Sequence, residues 1–127
     1  MGTGILKVLY EDNHLLAVDK PAGLATIGVA EDVPSLAKLA KNYLKVKYQK
    51  PGRVYLGVMS RLDAAVTGVV LFARTSKAAS RLTEQFRKHT VEKTYWAAVE
   101  GTIEPPSGTL EDWVAKNEGR QKMEIVP

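Results

Sequence analysis

Apolar and polar positions alternate along the chain in short segments whose periods predict its elements. β-prone residues run from Ile5 to Tyr10 and from Leu15 to Asp19, on either side of Glu11-Asp12-Asn13-His14. That polar cluster has turn chemistry, so the two runs predict a hairpin of paired strands. Pro21-Ala22-Gly23 breaks the pattern and opens a loop through Gly28 to Asp32 and Pro34. Leu36, Leu39, Ala40, Tyr43 and Leu44 then recur at helical spacing, with Lys38, Lys41, Lys45 and Lys47 mostly elsewhere around the wheel. Ser35 is placed to cap this amphipathic helix, and Pro51-Gly52 closes the segment after Tyr48.

Strand character returns from Val54 to Met59. Val69 to Ala73, a short apolar run opening on two β-branched residues, reads as a buried strand. Ser76 is expected to cap a second helix, with Ala79, Leu82, Thr83 and Phe86 inward and Lys77, Arg81, Arg87 and Lys88 on a basic outer face. Val91 to Glu100 reads as a strand ended by Gly101, Pro105-Pro106-Ser107-Gly108 as a loop, and Thr109 to Ala115 and Lys122 to Val126 as further strands. Strands mixed with two helices in no strict alternation predict an α+β fold rather than a doubly wound parallel sheet.

Composition narrows the function classes. The 127 residues suffice for one domain with a core of its own, and no repeat or long linker divides them, so 1–127 reads as a single domain. At 45% hydrophobic and 25% charged, the chain has the mixture of a folded protein. The absence of cysteine excludes disulfides and thiolate metal sites and suits a reducing compartment. No apolar run is long enough to span a bilayer, and MGTGILKVLYEDN lacks the form of a signal peptide, so a cytoplasmic protein with no membrane association is expected. A net charge of +4 and a pI near 9.3 suit a polyanionic partner without specifying one. Glycine-rich phosphate loops and HExxH are missing, and the two histidines, His14 and His89, read as solvated or capping residues. No metal or other cofactor is therefore expected.

The segment Met59-Ser60-Arg61-Leu62-Asp63-Ala64-Ala65-Val66-Thr67-Gly68 sets a charged pair between two apolar strands. In an extended chain Arg61 and Asp63 point to the same side, where the guanidinium would keep the carboxylate ionised. A fixed, ionised carboxylate is what a nucleophile requires, although spacing alone favours a structural salt bridge. Tyr95, taken by itself, reads as a core or edge tyrosine on a strand.

Three stretches together resemble the RluA-type RNA pseudouridine synthases. ILKVLYEDNHLLAVDKPAGL is similar to the family's opening hairpin and D-K-P-x-G-L signature. SRLDAAVTGVVLFARTSKAASRLTEQF is similar to its H-R-L-D-x-x-[TV]-S-G-[LV] motif with the following strand and helix, and VEKTYWAAVEG to its K-x-Y segment. The resemblance covers nearly the whole chain and implies a mixed, largely antiparallel sheet with flanking helices. It makes Asp63 the catalytic aspartate, Arg61 the residue that helps displace the target base, and Tyr95 the aromatic residue beside the uracil. The implied reaction is isomerisation of uridine to pseudouridine in structured rRNA or tRNA without a cofactor. Whether Asp63 attacks or deprotonates the ribose, or adds to the uracil ring, the sequence leaves open.

Two departures from the pattern shape the expectations. Ser60 stands where the family usually has histidine. The chain also ends at RQKMEIVP, before the family's H-Q-I-R-like segment, so a truncated, N-terminal portion of the catalytic domain is expected. A catalytically silent RNA-binding fragment is the alternative reading, and unpaired sheet edges make self-association an expectation for either.

Overall fold

The computed structural model describes residues 5–127; the first four, part of the stretch read for a signal peptide, lie outside the described residues. Two compact units make up the chain, one running to Lys93 and the other spanning Thr94–Pro127. The fold is α+β, and every strand pairing within each unit is antiparallel.

In the first unit, β1 (Lys7–Glu11) and β2 (Leu15–Lys20) form the expected hairpin. Asp12 shapes its turn: Oδ1 accepts from the backbone amides of His14 and Leu15, both at 2.7 Å. The carboxylate thereby satisfies donors that the reversing chain would otherwise leave unpaired. β4 (Gly68–Ala73) lies on the other side of β2, and β3 (Gly57–Val58) closes the sheet in the order β1-β2-β4-β3. The strand expected over Val54 to Met59 shortens to these two residues, because only Gly57 and Val58 find ladder partners on β4.

Helix α1 (Leu36–Lys47) begins as expected at Ser35, whose side chain accepts from the Lys38 amide at 3.2 Å. Its Leu36, Ala37, Ala40 and Leu44 pack with Leu16 and Val18 of β2 and Val70 and Phe72 of β4 in one core. Helix α2 (Ser76–Arg87) is capped by Thr75, not by Ser76. Thr75 is still extended, so its hydroxyl is free to accept from the Ala78 amide at 3.1 Å, whereas Ser76 already lies within the helix. Ala79, Leu82 and Phe86 are half-buried as expected, but Ala78 is the residue α2 buries, and Thr83 is exposed. The helix approaches the sheet so closely that a Cβ on Gly57 would meet Ala79 Cβ at 3.2 Å and Ala73 Cβ at 3.3 Å.

In the second unit β5 (Trp113–Asn117) and β6 (Lys122–Val126) form a hairpin. The strand expected over Thr109 to Ala115 thus starts later, at Trp113. The strand expected over Val91 to Glu100 does not form. Its alternation suits a strand, but ladder hydrogen bonds need a neighbouring edge, and among the described residues it has none.

One polar cluster fastens α1 to the sheet. The Glu11 side chain, 9% exposed, accepts from Tyr43 at 2.5 Å, from Lys47 at 3.1 Å and from Tyr48, with the Arg74 guanidinium 3.7 Å away. Arg74 stacks over Tyr48 at 4.5 Å and donates to the Asp12 carbonyl. Burial pushes the Glu11 carboxyl up, but the hydrogen bonds from Tyr43, Tyr48 and Lys47 and the charge of Lys47 outweigh it and bring it to about 2. Because the folded value lies below the ordinary 4.5, the stabilisation is complete above that pH and is lost as pH falls from about 4.5 to about 2. Glu11→Gln should therefore lower stability at neutral pH by about 2 kcal/mol and flatten the acid limb of the stability profile. Denaturant melts of both proteins between neutral pH and strong acid check this; parallel profiles would refute it.

Candidate active site

Leu16, Val18 and Lys20 occupy successive inward positions of β2. The third of them is an ammonium, and like the other two it is wholly buried. Such a group must be solvated by protein dipoles. Lys20 Nζ donates to three carbonyls, of Pro21 at 2.8 Å, Leu24 at 2.7 Å and Ala64 at 3.0 Å. The first two belong to the loop that follows β2, and the third to the segment between β3 and β4.

That contact brings the D-K-P-A-G-L and R-L-D stretches together. The Gly23 amide donates to the same Ala64 carbonyl at 2.7 Å, from a backbone with φ of +86° that suits glycine. Thr26, also buried, holds the other side: its hydroxyl donates to the Leu62 carbonyl at 2.8 Å and accepts from the Leu62 amide at 3.1 Å. The loop carrying Thr26 is itself fixed by the first turn of α1, where the amides of Leu36 and Ala37 donate to the carbonyls of Ala25 and Thr26 at 2.8 and 3.0 Å. Leu62 points inward to the core and lies 3.3 Å from where a Cβ on Gly68 would stand.

Asp63 therefore sits between two residues whose backbones are held from outside the segment. Its own carbonyl closes a turn by accepting from the Val66 amide at 2.9 Å, and its side chain is exposed. Burial pulls the Lys20 ammonium down and the charge of Asp63 pushes it back up, so the two groups feel one another. Among the described residues Asp63 takes part in no salt bridge, so the Arg61–Asp63 pair that an extended chain would favour is not made. Arg61 is exposed. Tyr95 belongs to the second unit, lies outside any strand and is 65% exposed.

Ser60 also has a defined task. Its hydroxyl accepts from the Leu71 amide at 3.0 Å, while the Met59 amide donates to the Leu71 carbonyl, so β3 stays fastened to β4 past the end of its ladder. Sequence reasoning assigned no role to Lys20 or Thr26. A legible signal existed for the lysine: it continues the inward register of Leu16 and Val18, where an ammonium must find partners. Nothing in the spacing marked Thr26. No group of three or more His, Asp or Glu residues is placed to hold a metal ion among the described residues, and no described helix is long and apolar enough to cross a membrane.

The model of a family described as RNA pseudouridylate synthase matches residues 14–126. The chain is 32% identical over 126 residues to the dual-specificity RNA pseudouridine synthase RluA of Haemophilus influenzae, covering 95% of this chain and 53% of that protein. It is 33% identical over 122 residues to ribosomal large subunit pseudouridine synthase D of Pseudomonas aeruginosa, covering 95% of this chain and 37% of that one. Its fold is similar to that of human RNA pseudouridylate synthase domain containing 4, with a TM-score of 0.74 at 24% identity over 94% of this chain and 47% of that chain. The chain thus spans about half or less of the length of the proteins it matches.

The double hydrogen bond of Thr26 generates a prediction. Thr26→Val keeps the shape but leaves both backbone groups of Leu62 without their partner, and should cost about 1–3 kcal/mol. Hydrogen exchange at the Leu62 amide should accelerate more than the loss of global stability accounts for. Exchange that rises only by the global amount would show that Thr26 does not hold the segment.

Proposed function

Since the chain belongs to the RNA pseudouridylate synthase family, of the RluA type, we propose that it carries the reacting carboxylate of an enzyme that isomerises uridine to pseudouridine in structured rRNA or tRNA. The observation that supports this reading is Asp63 itself, an exposed side chain on a backbone pinned at both neighbours. Orientation fixed in advance is what a catalytic group gains from such a frame.

In the proposed reaction the bond between uracil N1 and the ribose is broken, the base turns while still bound, and a bond forms between its C5 and the same ribose carbon. The proton leaves C5 and N1 ends protonated, so the reaction balances as an isomerisation. A uridine in folded RNA must first leave its stack, and Arg61, exposed two residues from Asp63, is suited to occupy the vacated space and touch phosphate or neighbouring bases. Tyr95 presents an exposed ring on which the uracil can stack and a hydroxyl for a polar contact.

Release of tritium from RNA carrying uridine labelled at C5 tests the reading. In protein competent for turnover, Asp63→Asn should lower the rate by more than about 10³-fold while leaving fold and RNA affinity nearly unchanged, because the amide keeps the shape but loses the charge. Turnover near that of wild type would remove Asp63 from the chemistry. Tyr95→Phe should impair less than Tyr95→Ala, and the reverse order would count against a base-facing ring.

A further inference from the structure

On the outer side of α1, Lys41, Asn42 and Lys45 line an open groove of about 470 Å³ with Gly52, Arg53 and Val54 of the following segment. Lys41 and Lys45 are one helical turn apart, separated by a rise of about 6 Å, and Arg53 completes a lining with three cations and no carboxylate. Half-buried Val54 is its one large apolar side chain, so the groove is poorly suited to an apolar ligand.

The stretch of sequence that supplies this groove carries no acidic residue. Residues 33 to 62 hold seven Lys and Arg and no Asp or Glu, a net +7 within a chain whose total is +4. Some of these cations are occupied: Lys38 donates to the carbonyls of Ala30, Glu31 and Val33, and Lys47 pairs with Glu11. Lys41, Lys45 and Arg53 are exposed and take part in no ion pair or side-chain hydrogen bond among the described residues. The basic face of α2 differs, since Arg87 and Lys88 both pair with Glu84.

We propose that the groove between α1 and the 52–54 segment is a phosphate-binding site that holds the backbone of the RNA outside the Asp63 loop. This rests on RNA being the substrate class proposed above. Successive cations along a helix face, with a neighbouring guanidinium and the Asn42 amide, match a polyanion that carries a charge every few ångströms along its strand. Contacts of this kind position the nucleic acid without reading its sequence, so the groove contributes affinity and register rather than choice of uridine.

The test uses the 127-residue chain and a fluorescent RNA stem-loop of about two duplex turns, with affinity measured over a range of salt. Lys41→Gln/Lys45→Gln/Arg53→Gln should weaken binding and lower the slope of log affinity against log salt by roughly 2 to 3. The comparison Arg81→Gln/Arg87→Gln/Lys88→Gln removes as many charges from α2 and should change the slope by less than 1. Equal losses in the two triple variants would mean that total charge matters and the groove does not, overturning the proposal. So would an unchanged slope in the first variant, or failure of the wild-type chain to bind the stem-loop at low salt. The Asp63 assignment stands or falls separately, on Asp63→Asn in protein competent for turnover, so loss of one reading leaves the other standing.

Discussion

A buried ammonium must bring its solvation with it, and the loops around Lys20 are arranged to meet that demand. Transferring such a charge out of water costs several kcal/mol unless dipoles replace the lost shell. Here three carbonyls from two separate segments do so, each within 3.0 Å. Neither loop could move away without stranding the charge, so one side chain at the end of β2 joins the segment after that strand to the segment before β4. The position of Asp63 follows from this constraint, because Ala64, its neighbour, supplies one of the three oxygens.

The rest of the first unit extends the same principle outward. Thr26 holds Leu62 by both of its backbone groups, the first turn of α1 holds the loop that carries Thr26, and the Glu11 cluster holds the other end of α1. The helix is thus anchored at both ends by polar contacts and along its length by Leu36, Ala40 and Leu44. Packing supplies the stability, while the polar contacts determine where the loops go.

The elements whose partners lie close in sequence, or whose period is strong, were legible. The hairpin, both helices and β4 could be read from alternation, turn chemistry and helical spacing. The shortened β3 and the missing strand over Val91 to Glu100 were not, because a strand exists only by pairing and a single segment carries no record of its partner. The motif around Asp63 was legible by resemblance, but the contacts that hold its backbone were not. Thr26 was invisible, since a threonine in a loop looks the same whether it faces water or grips a backbone thirty-six residues away.

The contacts that frame Asp63 close long stretches of chain, 36 residues between Thr26 and Leu62 and 44 between Lys20 and Ala64. Contacts of such separation form late, after the local hairpin and helix have reduced the entropy of closing the loop. Assembly of the loop around Asp63 is consequently part of the cooperative folding step rather than a local adjustment made afterwards. Inherited variation in the core beneath α1 would then reveal itself chiefly as a change in how many molecules hold this loop formed, with its arrangement in each of them unaltered.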